Sequence, residues 1–114
     1  MIAIANRFHG HNSLRSVYQK GRSVYGDHCK LLWQPAQKQN YRVAVVVSKK
    51  IHKSAVARNR VRRRIYEVVR TYAKDNSLRS DIVIIVQKDS LIMSTHQELQ
   101  AEISKLLKKT TSVL

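Results

Sequence analysis

Hydrophobic positions along this 114-residue chain change period several times, and each change marks an element. In "HNSLRSVYQKG", residues 11–21, Leu14, Val17 and Tyr18 stand at i, i+3 and i+4, which predicts a short helix. Asn12 or Ser13 can cap it and Gly21 can end it. "DHCKLLW", residues 27–33, reads as a strand closed by the polar loop "QPAQKQN", which holds the only proline. In "YRVAVVVSKK", residues 41–50, β-branched residues occupy both alternating faces, as in a strand covered on both sides.

The period then becomes helical. From Ala55 to Lys74 there is no Gly or Pro, and Ser54 is placed as N-cap. Val61, Ile65, Val68 and Tyr72 form one narrow stripe, with Ala57 and Val69 at its margins. Asn59, Arg63, Tyr66 and Arg70 point away from it, Arg58 and Arg62 flank one side, and Arg60 and Arg64 the other. "DIVIIVQK", residues 81–88, is a further strand apolar on both faces. "STHQELQAEISKLLKK", residues 94–109, opens on a capping box of Thr95 and Glu98 and carries a core stripe of Leu99, Ile103 and Leu106.

The predicted order is helix, strand, strand, long helix, strand, helix, an α+β class. The strand–helix–strand unit from 42 to 87 requires two parallel strands in one sheet. The length fits a single domain over residues 1–114, with 1–11 read as a flexible leader. Hydrophobic residues make up 43%, enough for a core, and no repeat or low-complexity segment interrupts them.

Charge adds what periodicity does not. The net charge is +15 at pH 7, and residues 1–64 hold 15 Lys/Arg against one acid, Asp27. Residues 49–74 carry ten Lys/Arg and one acid, Glu67, whereas a merely soluble helix mixes signs at i, i+4. Arginine forks across phosphates and stacks on bases, so the pattern points to a nucleic acid. Lys49, Lys50 and Lys53 precede the helix, where its unpaired backbone N–H groups favour a phosphate. DNA-reading helices of this kind usually sit in all-helical domains, so a helix between two buried strands favours an RNA-binding module.

Other classes fit less well. The lone Cys29 excludes an intramolecular disulfide framework and a four-cysteine zinc site, and reads as a reduced, partly buried thiol suited to the cytoplasm. "MIAIANRF" is too short an apolar run for a signal peptide, and "VAVVV" and "IVIIV" are too short to cross a membrane. "HGH" at 9–11 and the neighbours His28 and Cys29 make poor metal pairs. Only seven acids exist, and a two-metal nuclease needs clustered carboxylates, so neither a catalytic residue nor a metal ligand is assigned to this chain.

"SKKIHKSAVARNRVRRRIYEVVR", residues 48–70, closely resembles the arginine–asparagine–arginine signature helix of the protein subunit of bacterial ribonuclease P, with its basic approach. "RVAVVVSKK", "DIVIIVQK" and "RFHGHNSLRSVYQKGRSV" are similar to the strands around that helix and to the family's amino-terminal segment. Together they cover roughly residues 7–110. The resemblance implies a two-layer α+β sandwich related to a ribosomal-protein domain, with a left-handed β-α-β crossover against the general right-handed rule. It also implies a holoenzyme whose catalytic RNA uses Mg²⁺ to cleave the 5′ leader from precursor tRNA, the protein binding both RNA and leader. Arg58, Asn59, Arg60, Arg62 and Arg63 then match the surface that lies against the catalytic RNA, and Lys49 and Lys50 the basic pair before it. Leu14, Tyr18, Leu32 and Lys88 match a leader-binding cleft between the first helix and the sheet. Relatives often place aromatics where Leu14 and Leu32 stand, which implies weaker base stacking there. The rival classes are a ribosomal or ribosome-assembly protein, separable by the RNA that co-purifies, and a transcription factor, separable by preference for duplex DNA.

Overall fold

A computed structural model describes residues 6–8, 11–36 and 40–111. In chain order the elements are α1 (His11–Lys20), β1 (Arg22–Tyr25), β2 (Cys29–Pro35), β3 (Arg42–Val46), α2 (Ala55–Asn76), β4 (Ser80–Val86) and α3 (His96–Thr111), with a 3-10 turn at Asp89–Leu91 before α3. The strands form one sheet in the order β1-β2-β4-β3. β2 is antiparallel to β1 and β4, and β3 is parallel to β4, as the strand–helix–strand unit requires.

Side-chain rows across the strands explain the two covered faces. Trp33, Ile82 and Val43 stand in register, as do Leu31, Ile84 and Val45. They bury against Val61, Ile65, Val68, Val69 and Tyr72 of α2 and Leu99, Ile103, Leu106 and Leu107 of α3. All four predicted stripe residues of α2 lie in that core. On the opposite face Leu32 and Val83 are buried under Val17 of α1. The ten-residue α1 covers that face only in part, so Ala44, Val46 and Ile85 stay partly exposed.

The helix ends follow local chemistry. Ser54 caps α2, its hydroxyl accepting from the Ala57 N–H at 3.2 Å. α2 runs to Asn76, two residues past Lys74, and Ser77 closes it in the left-handed region, φ 50°, where the sequence offers no glycine to mark the end. In the capping box of α3, the Glu98 N–H donates to Thr95 Oγ1 at 3.2 Å and the Thr95 N–H donates to Glu98 Oε1 at 3.1 Å. Gly21 ends α1: its N–H reaches Val17 O at 2.8 Å, and a Cβ there would meet that oxygen at 2.3 Å. Asn12 and Ser13 stand inside α1 rather than capping it, because the helix already begins at His11.

Other boundaries differ from the periodicity. β1 was not predicted: it is four residues long and only Val24 is even partly buried, so it shows no alternating signal. β2 begins at Cys29 because residues 27 and 28 form the turn from β1, closed by the Gly26 N–H on Cys29 O at 2.8 Å. It also runs through Pro35, which lies past the end of β1, where one side of the strand has no partner to lose. Cys29 is fully buried rather than partly so. Burial, and then the nearby Glu102 carboxylate, push its thiol pKa up, so it remains protonated.

Candidate nucleic-acid interface

The buried stripe clamps α2 to the sheet, and the rest of its first half faces solvent. Asn59, Arg60 and Arg63 are exposed, while Arg58, Arg62 and Arg64 are half-buried along the margins. Asn59 Oδ1 accepts from Arg62 Nη2, and the Arg58 carbonyl accepts a long bond from Arg62 Nε at 3.4 Å. Arg62 is thereby aimed before any partner arrives, which lowers the entropy lost on binding. Arg64 is used differently: its Nη2 donates to Ser94 O at 3.0 Å, tying the loop before α3 to α2. Arg70 pairs with Glu67, whose carboxyl that hydrogen bond holds below its usual range.

The approach to α2 is basic and exposed. Lys49 and Lys50 occupy a turn closed by the Ile51 N–H on Ser48 O at 3.0 Å, and Lys53 immediately precedes the cap. The first turn of α2 contains no acid to compensate its positive end. These eight predicted residues, Lys49, Lys50, Lys53, Arg58, Asn59, Arg60, Arg62 and Arg63, thus lie on one continuous stretch from the end of β3 through the first half of α2.

The second predicted group is less uniform. Leu14 is half-buried and packs with Leu32 on the α1 face of the sheet. Leu32 is only 6% exposed, so it forms floor beneath α1 and not an accessible surface. Tyr18 is 48% exposed, one turn after Leu14, and is no core residue. Lys88 is exposed just past β4, its N–H on His28 O at 3.3 Å.

Three features escaped the sequence. Tyr66, expected to point away with the arginines, turns to the sheet, and its hydroxyl accepts from the Val45 N–H at 3.2 Å on the open edge of β3. Arg42 and Asp81, in register on β3 and β4, form a buried pair with bonds of 3.0 and 2.6 Å. Phe8 lies against Arg42, whose guanidinium carbon is 5.0 Å from the ring centre. Each partnership joins residues 21 or more apart in sequence, so periodicity carried no signal for it. His9, like the side chain of His11, falls outside what the structure describes.

Comparisons with known proteins agree on one family. A family model described as Ribonuclease P matches residues 3–111. A ribonuclease P protein component from Synechococcus sp. (strain JA-2-3B'a(2-13)) is 30% identical over 113 residues, spanning 96% of this chain and 84% of the relative. One from Staphylococcus haemolyticus is 29% identical over 104 residues, spanning 91% and 89%. Among solved structures, the RNase P protein from Thermotoga maritima in complex with 1-(4-fluorophenyl)-2-thiourea superposes with a TM-score of 0.76 at 21% identity, covering 85% of this chain and 92% of that one. The Staphylococcus aureus RNase P protein gives 0.71 at 23% identity, covering 92% and 94%.

Proposed function

The chain belongs to the ribonuclease P protein family, and we propose that it is the protein subunit of a ribonuclease P holoenzyme that binds the catalytic RNA through α2. In this reading the holoenzyme removes the 5′ leader of precursor tRNA, and the leader lies in the cleft beside α1, reached by Leu14, Tyr18 and Lys88. The observation that carries the reading is the first half of α2: a surface of Arg and Asn with no acid before Glu67, fixed on a buried stripe. Such a surface repels itself in the free protein. A polyphosphate neutralises it and gains by releasing counterions.

The chemistry of cleavage belongs elsewhere in the assembly. Among the described residues no three His, Cys, Asp or Glu side chains group as a metal site requires. Four of the seven acids are engaged: Asp81 with Arg42, Glu102 with His28, Glu67 with Arg70 and Glu98 with Thr95. These donors do not fit a Mg²⁺ centre, so the reading gives Mg²⁺ to the RNA and assigns no step to an ion on the protein. The protein's share is to position and neutralise phosphates.

The test is the variant Arg58→Ala/Arg60→Ala/Arg62→Ala, titrated against the cognate catalytic RNA over a range of salt. Removing each guanidinium is expected to cost about 1–3 kcal/mol of binding where its phosphate hydrogen bonds are well formed. It should also flatten the dependence of log affinity on log salt by roughly 0.7–0.9. Parent-like affinity with an unchanged slope would remove α2 from the interface. Ribosomal RNA as the species that co-purifies would favour the ribosomal rival.

A further inference from the structure

Between the Arg60 and Arg64 margin of α2 and the loop before α3 lies a groove of about 640 Å³. Buried Val61 and half-buried Ile92 give it an apolar floor. Among the described residues four large apolar side chains are exposed, and two of them line this groove: Val56 of α2 at 74% and Met93 of the loop at 86%. The loop itself is fixed. Arg64 Nη2 on Ser94 O fastens it to α2, and the Met93 N–H donates to Ser90 O at 3.2 Å. The backbone that carries Met93 therefore has little ordering left to lose when a partner covers the side chain. Apolar surface held out in water in this way marks a place that a partner covers.

Charge selects the partner. Among the described residues no acidic side chain lines the groove, while Arg60 is exposed along it and Lys53 stands beside the Ser54 cap. A second copy of this chain would bring another +15 to the same place and be repelled. A polyphosphate is attracted. Arg60 also belongs to the acid-free surface of α2, and Val56 lies about one helical turn before it, so a strand bound on α2 reaches the groove without a break. The apolar walls then narrow the choice. A base-paired helix turns sugars and phosphates outward and offers Val56 and Met93 nothing to cover them. An unstacked base presents an apolar face, and a thioether packs well against an aromatic ring.

Resting on the reading above, we infer that this groove seats one unpaired, unstacked nucleotide of the catalytic RNA, with its base against Val56 and Met93 and its phosphate on Arg60. The RNA contact then extends from the arginine surface of α2 to the loop that precedes α3. Residues 90–95, "SLIMST", carry no charge, so charge patterning gave no signal for that loop.

Two measurements test this. The variant Val56→Ser/Met93→Ser is expected to weaken binding of the cognate catalytic RNA by roughly three-fold or more, within the range for a lost thioether–ring contact. The slope of log affinity against log salt should stay parental, because no phosphate contact is removed. Both side chains are exposed, so Tm should also stay parental. Parental affinity overturns the inference, and so does a flattened salt slope. The second measurement is crosslinking. Cys29 is fully buried, so Met93→Cys supplies the one accessible thiol among the described residues, and it can carry an aryl azide. In the complex it is expected to crosslink to an unpaired nucleotide of the catalytic RNA. Crosslinks to base-paired nucleotides only, to a second copy of the chain, or no RNA crosslink at all overturn the inference. The two readings fail separately. If Arg58→Ala/Arg60→Ala/Arg62→Ala binds as the parent does, the RNA surface on α2 falls and this inference with it; if that variant loses binding and Val56→Ser/Met93→Ser does not, this inference alone falls.

Discussion

Arg42 and Asp81 show how much one residue pair can decide. Both are nearly removed from water, which is tolerable only because two hydrogen bonds join them in register at the start of β3 and β4. The Asp81 hydrogen bonds raise the Arg42 pKa further, so its guanidinium stays charged. Asp81→Ala leaves a buried guanidinium without its counter-charge and is expected to cost about 3–5 kcal/mol in urea unfolding. The double replacement Arg42→Met/Asp81→Leu should recover most of that loss, because neither charge then remains buried. A cost for Asp81→Ala under about 1 kcal/mol would show that water reaches Arg42. His28 plays a similar joining role: its backbone and ring nitrogens meet the two Glu102 oxygens at 2.8 and 2.7 Å, fastening the β1–β2 turn to α3.

Among the elements, α2 and α3 begin in opposite ways. α3 carries an acid in its first turn, and the Thr95 N–H and hydroxyl hold the Glu98 carboxyl below its usual range. A carboxylate depressed in the folded state stabilises it above the ordinary carboxylate pKa, and that contribution is lost as pH falls through the folded value. Glu98→Ala should therefore lower Tm at neutral pH. The gap between variant and parent should close as pH drops below about 5. A gap independent of pH would mean that Glu98 acts by packing and not as an ionised cap. α2 has no such acid, and its positive end is left uncompensated beside Lys49, Lys50 and Lys53. That omission weakens α2 as an isolated helix, and burial of Val61, Ile65, Val68, Val69 and Tyr72 offsets it.

For the molecule as a whole, the sheet acts as a board with two working sides. α2 and α3 fill one face, α1 half covers the other, and the open edge of β3 connects them. Protein freed of RNA is expected to leave precursor tRNA intact at every Mg²⁺ concentration, and addition of the cognate catalytic RNA should restore cleavage at the 5′ end. The assay is gel analysis of end-labelled precursor. Site-specific cleavage by the protein alone would place the chemistry in this chain. No helix among the described residues is long and apolar enough to cross a membrane.

What the sequence determined by itself was carried by local periods and local caps, apart from the start of α1 and the direction of Tyr66. The stripe of α2, the Ser54 cap, the Thr95–Glu98 box, the two-faced strands β3 and β4 and their parallel pairing all follow from spacings of two to four residues, or from the length of one connection. The acid-poor arginine surface was legible for the same reason, since a helix of known phase places its own side chains. β1 was not legible, because four residues with one partly buried side chain have no period to read. The accessibility of Leu14, Tyr18 and Leu32 was decided by how far α1 extends across the sheet, which no residue in α1 specifies. The hand of the crossover was suggested by resemblance alone, since hydrophobic periodicity does not encode it. Tertiary structure alone brought Phe8 to Arg42, Arg42 to Asp81 and Tyr66 to the edge of β3. Those pairings join distant segments, and their chemistry exists only once the sheet has brought the segments together.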